Sequence, residues 1–232
     1  NLGKEIETRC EFMKDNFEKQ YRYYADQIPD IEGLSRPFIN TSDVLLAYFV
    51  IADYFTNPLN GEPEKMLIGV RDLNLLGSAI GRQVVGFDGK RKYRDKIDIC
   101  ATLFYGLVKN HFFSDGNKRT ALLILLYQLD RYGYMPNAPQ KDFEKLVICI
   151  AANKIPERYP FAYKKCRKDE EPIIKTTSKI LRKKIKKKDN TYHVRRIEGC
   201  RLEDYAETVP GKKTMYQLVD DFKSVFRRLK DE

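Results

Sequence analysis

The sequence predicts a mainly α-helical protein carrying one small β-hairpin, on three observations. Apolar residues recur at three- and four-residue spacing through most of the first 155 positions. The stretch Ala121 to Leu129 is apolar nearly all round, as in a helix enclosed by other helices. Strand-like patterning is short, limited to a Gly-Phe-Asp-Gly turn and one stretch near the C-terminus.

The elements follow in order. Ile6, Cys10, Met13 and Phe17 place a helix within residues 1–33, and Pro29, Gly33 and Pro37 then break the chain. Thr41, Ser42 and Asp43 all offer side-chain oxygens for an N-cap, ahead of an apolar helix from Val44 to Phe55. Asn57, Pro58, Asn60, Gly61 and Pro63 mark a loop. Leu73, Leu76 and Ile80 share one face of a helix from Arg71 to Gly81. Between Arg82 and Tyr93, Val84 and Val85 lead into the turn, which favours a hairpin over an irregular loop. Helices are predicted at Lys96 to Lys109, Arg119 to Tyr132 (stopped by Gly133) and Lys141 to Ala152.

The globular body is expected to end near Pro156 to Pro160. From Lys164 to Lys188 there are twelve basic residues against three acids. Such a run can be a solvated helix face, a flexible arm or a surface for an acidic partner. Thr191 to Leu202 reads as strand and Met215 to Leu229 as helix. The division predicted is an N-terminal helical extension at 1–38, a catalytic domain at 39–158 and an appended basic C-terminal module at 159–232.

The chain has 232 residues and a net charge of +10, which favours anionic partners: nucleic acid, acidic protein or nucleotide phosphates. Its five cysteines are scattered with no Cys-x-x-Cys pair, against both a disulfide framework and a zinc site. No signal-peptide core is seen near the N-terminus, and the longest apolar run, Val44 to Ala52, is too short for a membrane span. A cytoplasmic protein without membrane contact is the expectation. Only two histidines, His111 and His193, are available for acid–base chemistry near neutral pH. His193 lies in a basic stretch and reads as a surface residue.

The chemistry concentrates in His111-Phe112-Phe113-Ser114-Asp115-Gly116-Asn117-Lys118-Arg119, between two apolar helices. A histidine at a helix–loop junction can take a proton from a hydroxyl. Asp115 can hold a divalent metal against phosphates. Gly116 permits close backbone approach, and the amides of Gly116, Asn117 and Lys118 form an anion nest at the next helix's N-terminus. Lys118 and Arg119 add fixed positive charge for phosphoryl oxygens. An Asp-Gly-Asn loop is also a common turn, but two basic residues opening a wholly apolar helix point to a ligand. No P-loop pattern is present.

This stretch resembles the signature of the Fic/Doc (Fido) family, His-x-Phe-x-(Asp/Glu)-(Gly/Ala)-Asn-(Gly/Lys)-Arg, and matches every defining position. RDLNLLGSAIGR, Asn110 and Thr120 extend the likeness, which covers Thr41 to Ile155. The resemblance implies a helical bundle with a hairpin flap, and it implies roles. His111 deprotonates a Ser, Thr or Tyr hydroxyl of a protein target. Phe113 anchors the loop, Asp115 binds Mg²⁺, and Asn117, Lys118 and Arg119 serve the phosphates of ATP or another NTP. The flap, Val85, Gly86, Phe87, Asp88 and Gly89, aligns the target by strand addition.

Lys118 replaces the glycine usual in AMP-transferring members and is similar to the death-on-curing (Doc) toxin branch. That branch phosphorylates a threonine of elongation factor Tu, so the resemblance implies γ-phosphate transfer, with a translation factor as a candidate target. AMP transfer by the same site is the alternative. Phe112 departs from the proline of many relatives. The family's inhibitory pattern, Ser/Thr-x-x-x-Glu-(Gly/Asn), is unmatched: Val194 stands where it needs Ser/Thr before Glu198-Gly199. Restraint by an antitoxin in trans is therefore expected. A second alternative is a nucleic-acid-binding protein working through residues 164–188.

Overall fold

A computed structural model describes residues 16–28, 30–32, 34–35, 37–57, 63–88, 90–188 and 213–230. The Thr191 to Leu202 stretch, His193, Gly89, and the helix-pattern residues Ile6, Cys10 and Met13 lie outside them. The protein is mainly helical. Helix α1 spans Asn16–Gln27, α2 Thr41–Thr56 and α3 Leu73–Gly81, followed by the hairpin strands β1, Gly86–Phe87, and β2, Lys90–Arg91. Then come α4, Lys96–Lys109; α5, Asn117–Arg131; β3, Tyr134–Pro136; and α6, Gln140–Ala151. The chain continues through short helices α7, Ile155–Arg158, and α8, Pro160–Lys164, to α9, Pro172–Lys184, β4, Ile185–Lys187, and α10, Met215–Lys230.

Capping chemistry sets the helix starts. Helix α2 begins at Thr41 because Asn40 caps it: the Asn40 side chain accepts from the backbone, and Asp43 accepts from the Asn40 N–H at 2.7 Å. The cap is thus one residue before the three candidates, and Asp43 is its reciprocal partner. Asp72 and Asp95 cap α3 and α4 in the same way, each accepting from two backbone amides.

Helix α5 is the centre of the fold. All residues from Thr120 to Leu129 are buried, enclosed by α2, α4, α6 and α10. Burial of each large apolar side chain is worth about 1.5–3 kcal/mol. Gln128, fully buried, donates its side-chain N–H to Oε1 of the equally buried Gln83 at 2.7 Å. Gln83 also bonds both backbone groups of Ile39, fixing the root of the hairpin against the core.

The basic C-terminal stretch differs from expectation. It adds much to the core, because its cations sit on one side of amphipathic helices whose other side is buried. Ile174, Ile180 and Leu181 of α9 pack on α4, and Met215, Leu218, Val219, Phe222, Val225 and Phe226 of α10 join the same apolar cluster. Phe222 stands edge-on to Tyr127 at 4.7 Å. Strand β4 pairs antiparallel with β3, closing a second two-stranded sheet. Four cations of the run are answered by aspartates of the body: Lys175 by Asp98, Arg182 by Asp95, Lys184 by Asp142 and Lys188 by Asp130.

Burial pushes the Asp130 and Asp95 carboxyls up, but hydrogen bonds from Lys188 and Lys223 to Asp130, and from Arg182 to Asp95, hold both below the ordinary carboxylate value. The stability they contribute is complete above the unfolded carboxylate pKa of about 4 and is lost as pH falls through the lowered folded values. Melting temperature is expected to fall on acidification below about pH 4, and Asp130→Asn to fall less steeply. An equal slope in that variant counts against the pair.

Among the described residues, Cys100, Cys149 and Cys166 are free and buried. No described helix is long and apolar enough to cross a membrane.

Candidate active site

The His111 loop links the C-terminus of α4 to the N-terminus of α5. Asn110 caps α4 through its N–H to Gly106 O, and its side chain donates to Leu75 O at 2.9 Å, tying the loop to α3. The next two aromatic rings, Phe112 and Phe113, are fully buried. Phe113 lies flat on Tyr48 of α2, with ring centres 3.7 Å apart. Phe112, where many relatives carry proline, is edge-on to Phe113, and its carbonyl accepts the Arg71 N–H at 2.8 Å.

A strand-like segment before α3 runs along the loop. Val70 and Phe113 form an antiparallel bridge, and Ser114 N–H donates to Gly69 O at 2.9 Å. The Gly69 N–H in turn donates to the Tyr48 hydroxyl at 2.9 Å. Asn117 closes the loop from inside: its Oδ1 accepts the Phe113 N–H at 3.0 Å, and its Nδ2 donates to Phe113 O at 2.8 Å. Two buried rings and these backbone bonds hold the loop's shape from both sides.

The reactive groups are left outside. His111 is exposed and takes a left-handed backbone conformation, φ +47°. Such a φ is uncommon away from glycine and is characteristic of constrained functional positions. Asp115 and Lys118 are exposed, and Arg119 is half-buried.

Gly116 sits at φ +77°, a left-handed conformation in which any side chain is strained, so the turn favours glycine there. Its amide donates to Asp115 Oδ1 at 2.6 Å. No side chain caps α5, so the open first-turn amides are those of Asn117, Lys118 and Arg119, one residue beyond the nest read from sequence. The positive end of a 15-residue helix thus faces outward beside two cations.

Lys118 and Arg119 also border a cavity of about 480 Å³. Phe55, Leu122, Val147, Met215 and Leu218 give it apolar walls, and Gln140, Glu144 and Thr214 give it polar ones. That volume suits a small organic ligand. The α6 and α10 walls come from far along the chain, where no motif signals them.

Glu64 and Tyr48 are further site residues that the sequence did not disclose. Glu64 carboxylate meets the Arg119 guanidinium at 2.6 Å, while that guanidinium lies 4.0 Å above the Phe55 ring. Glu64 sits just past a Pro/Gly loop, and its position is set by its N–H to Phe55 O at 2.8 Å, which has no sequence signature. It neutralises a cation that faces the cavity. For an anionic ligand in the cavity, ATP being the one the resemblance implies, Glu64→Gln is expected to tighten binding two- to fivefold by calorimetry, about what a partly exposed ion pair of up to ~1 kcal/mol would give. Unchanged or weaker binding counts against that competition.

The predicted hairpin forms between α3 and α4, pairing Gly86 with Arg91 and Phe87 with Lys90. A Cβ on Gly86 would collide with Lys90 O at 2.4 Å, so the narrow pairing depends on glycine. Asp88 occupies the turn at φ +51°, and Val85 is exposed. Lys92, bridged to Glu170 and Glu171, ties the hairpin to the start of α9.

Among the described residues, no three His, Cys, Asp or Glu side chains gather as a metal site. A cation at Asp115 would take its other ligands from phosphates and water, as Mg²⁺ commonly does.

No curated protein and no solved structure matches the chain significantly. Residues 48–129 match the Fic/DOC family model. That span begins at Tyr48, the ring beneath Phe113, and ends at Leu129 in α5, so the stretch similar to the Fic/DOC family takes in the helices that carry the His111 loop.

Proposed function

We propose that this protein acts as a Fic/DOC-type enzyme, transferring the γ-phosphate of ATP, or of another NTP, to a Ser or Thr hydroxyl of a target protein. The observation carrying it is the uncapped N-terminus of α5, with Lys118 exposed on it at the rim of the 480 Å³ cavity. A side chain at that position occupies space that a glycine would leave for the diphosphate of an AMP donor. It presents its charge instead to the transferring end of the nucleotide.

In this reading His111 accepts the proton of the attacking hydroxyl. The hydroxyl oxygen forms a bond to the γ-phosphorus as the bond to the β-bridging oxygen breaks, and the nucleoside diphosphate leaves. The first-turn amides of α5, Lys118 and Arg119 stabilise the charge on the phosphoryl oxygens. Mg²⁺ held by Asp115 would supply further neutralisation of phosphate charge. The free edge of the Gly86 to Arg91 hairpin aligns the target's backbone. Restraint in trans by an antitoxin remains part of the proposal, as does a translation factor as target.

Incubation with ATP labelled at the α or the γ phosphate, in a lysate, tests this directly. Label on protein from γ alone supports phosphoryl transfer. Label from α overturns it in favour of AMP transfer. Lys118→Gly is expected to lower γ transfer at least tenfold, the scale of one lost transition-state cation. Unchanged γ transfer in that variant removes the role given to Lys118.

A further inference from the structure

The far end of the α4–α5 pair carries a second feature. Helix α4 has 14 residues, which places its N-terminus about 20 Å from the His111 loop. There a polar groove of about 590 Å³ opens between the start of α4 and the β3–β4 sheet. Arg94 and Lys96 stand on one side of it, Lys187 and Lys188 on the other.

The groove's charge is in surplus. Its one acid, Asp95, is already bonded to Arg182 at 2.5 Å. Lys188 is bonded to Asp130, but Asp130 is shared with Lys223, so one carboxylate serves two ammonium groups. Arg94, Lys96 and Lys187 are exposed. Tyr134, half-buried on β3, stands directly opposite Lys187 in the strand pairing. Lys96 lies 5.7 Å from the Tyr132 ring.

We propose that this groove binds single-stranded nucleic acid, with the phosphodiester backbone along Arg94, Lys96 and Lys187 and a base on the face of Tyr134. Cations interleaved with aromatic rings are the chemistry of sequence-tolerant strand binding: the charges follow the backbone and the ring stacks on a base. An acidic peptide would engage the cations but gain nothing from the ring. Binding here is separate from transfer at His111 and does not depend on which group is transferred there.

Fluorescence anisotropy with the full chain and a labelled oligouridylate of about 20 nucleotides tests the groove. The variant Arg94→Gln/Lys96→Gln/Lys187→Gln is expected to bind at least about tenfold more weakly, with the salt slope reduced by about two units for three lost phosphate contacts. The charge-matched control Lys164→Gln/Lys165→Gln/Lys168→Gln, at exposed positions elsewhere, is expected to keep wild-type affinity. Tyr134→Leu is expected to weaken binding without changing the salt slope. Equal weakening in the control reduces the effect to net charge and overturns the site. Displacement of the oligonucleotide by polyglutamate at equal charge overturns it in favour of an acidic protein, and absence of binding at low salt overturns it outright.

Discussion

His111→Ala is expected to lower group transfer by about 10²–10⁴-fold, the usual contribution of a positioned general base. Circular dichroism should show an unchanged fold, because the imidazole is exposed and the loop is held by its neighbours. The backbone at this position is left-handed, so alanine introduces some strain of its own. His111→Asn removes that objection, since asparagine tolerates the same conformation and cannot act as the base. Both variants should fail in transfer while retaining nucleotide binding, which the proposed function assigns to α5 and the two cations. Retained transfer in both would remove histidine from the mechanism.

Phe113→Ala is expected to have the largest effect on stability. The ring is fully buried and stacked on Tyr48, and such truncations cost about 3–5 kcal/mol. That is a large share of a typical domain's 5–15 kcal/mol. For a chain of this size it corresponds to a fall in melting temperature of roughly 6–20 °C. Phe113→Leu keeps most of the buried area and should lose clearly less. The two variants also separate stability from chemistry. At a temperature where Phe113→Leu is folded, any loss of transfer reports a displaced loop rather than unfolding. An alanine variant as stable as the wild type would mean the rings do not anchor the loop.

How much of this was legible in the sequence varies with the kind of force involved. Helix α4 lies at its predicted limits because an aspartate cap and a clear apolar face define it locally. The His111 motif was legible because its residues are contiguous. Helix α5 starts two residues earlier than predicted, since Gly116 in a left-handed conformation lets Asn117 open it. The integration of α9 and β4 was not legible. Their lysines look like solvated charge until the aspartates that answer them, more than forty residues away in sequence, are brought alongside. The Glu64 contact with Arg119 was hidden for a similar reason: a carboxylate beside a turn carries no pattern, and only the packed chain gives it a partner 55 positions on.

Met215 and Leu218 close a cavity whose cationic rim lies nearly a hundred residues earlier in the chain. The motif residues and the cavity's far walls are therefore encoded in different stretches of the protein. Grafting the stretch 48–129 onto another scaffold would carry over the imidazole and the uncapped helix end but leave behind two of the cavity's walls. In the proposed reading, substitutions in α10 reshape the space beside the helix end without touching a single motif residue.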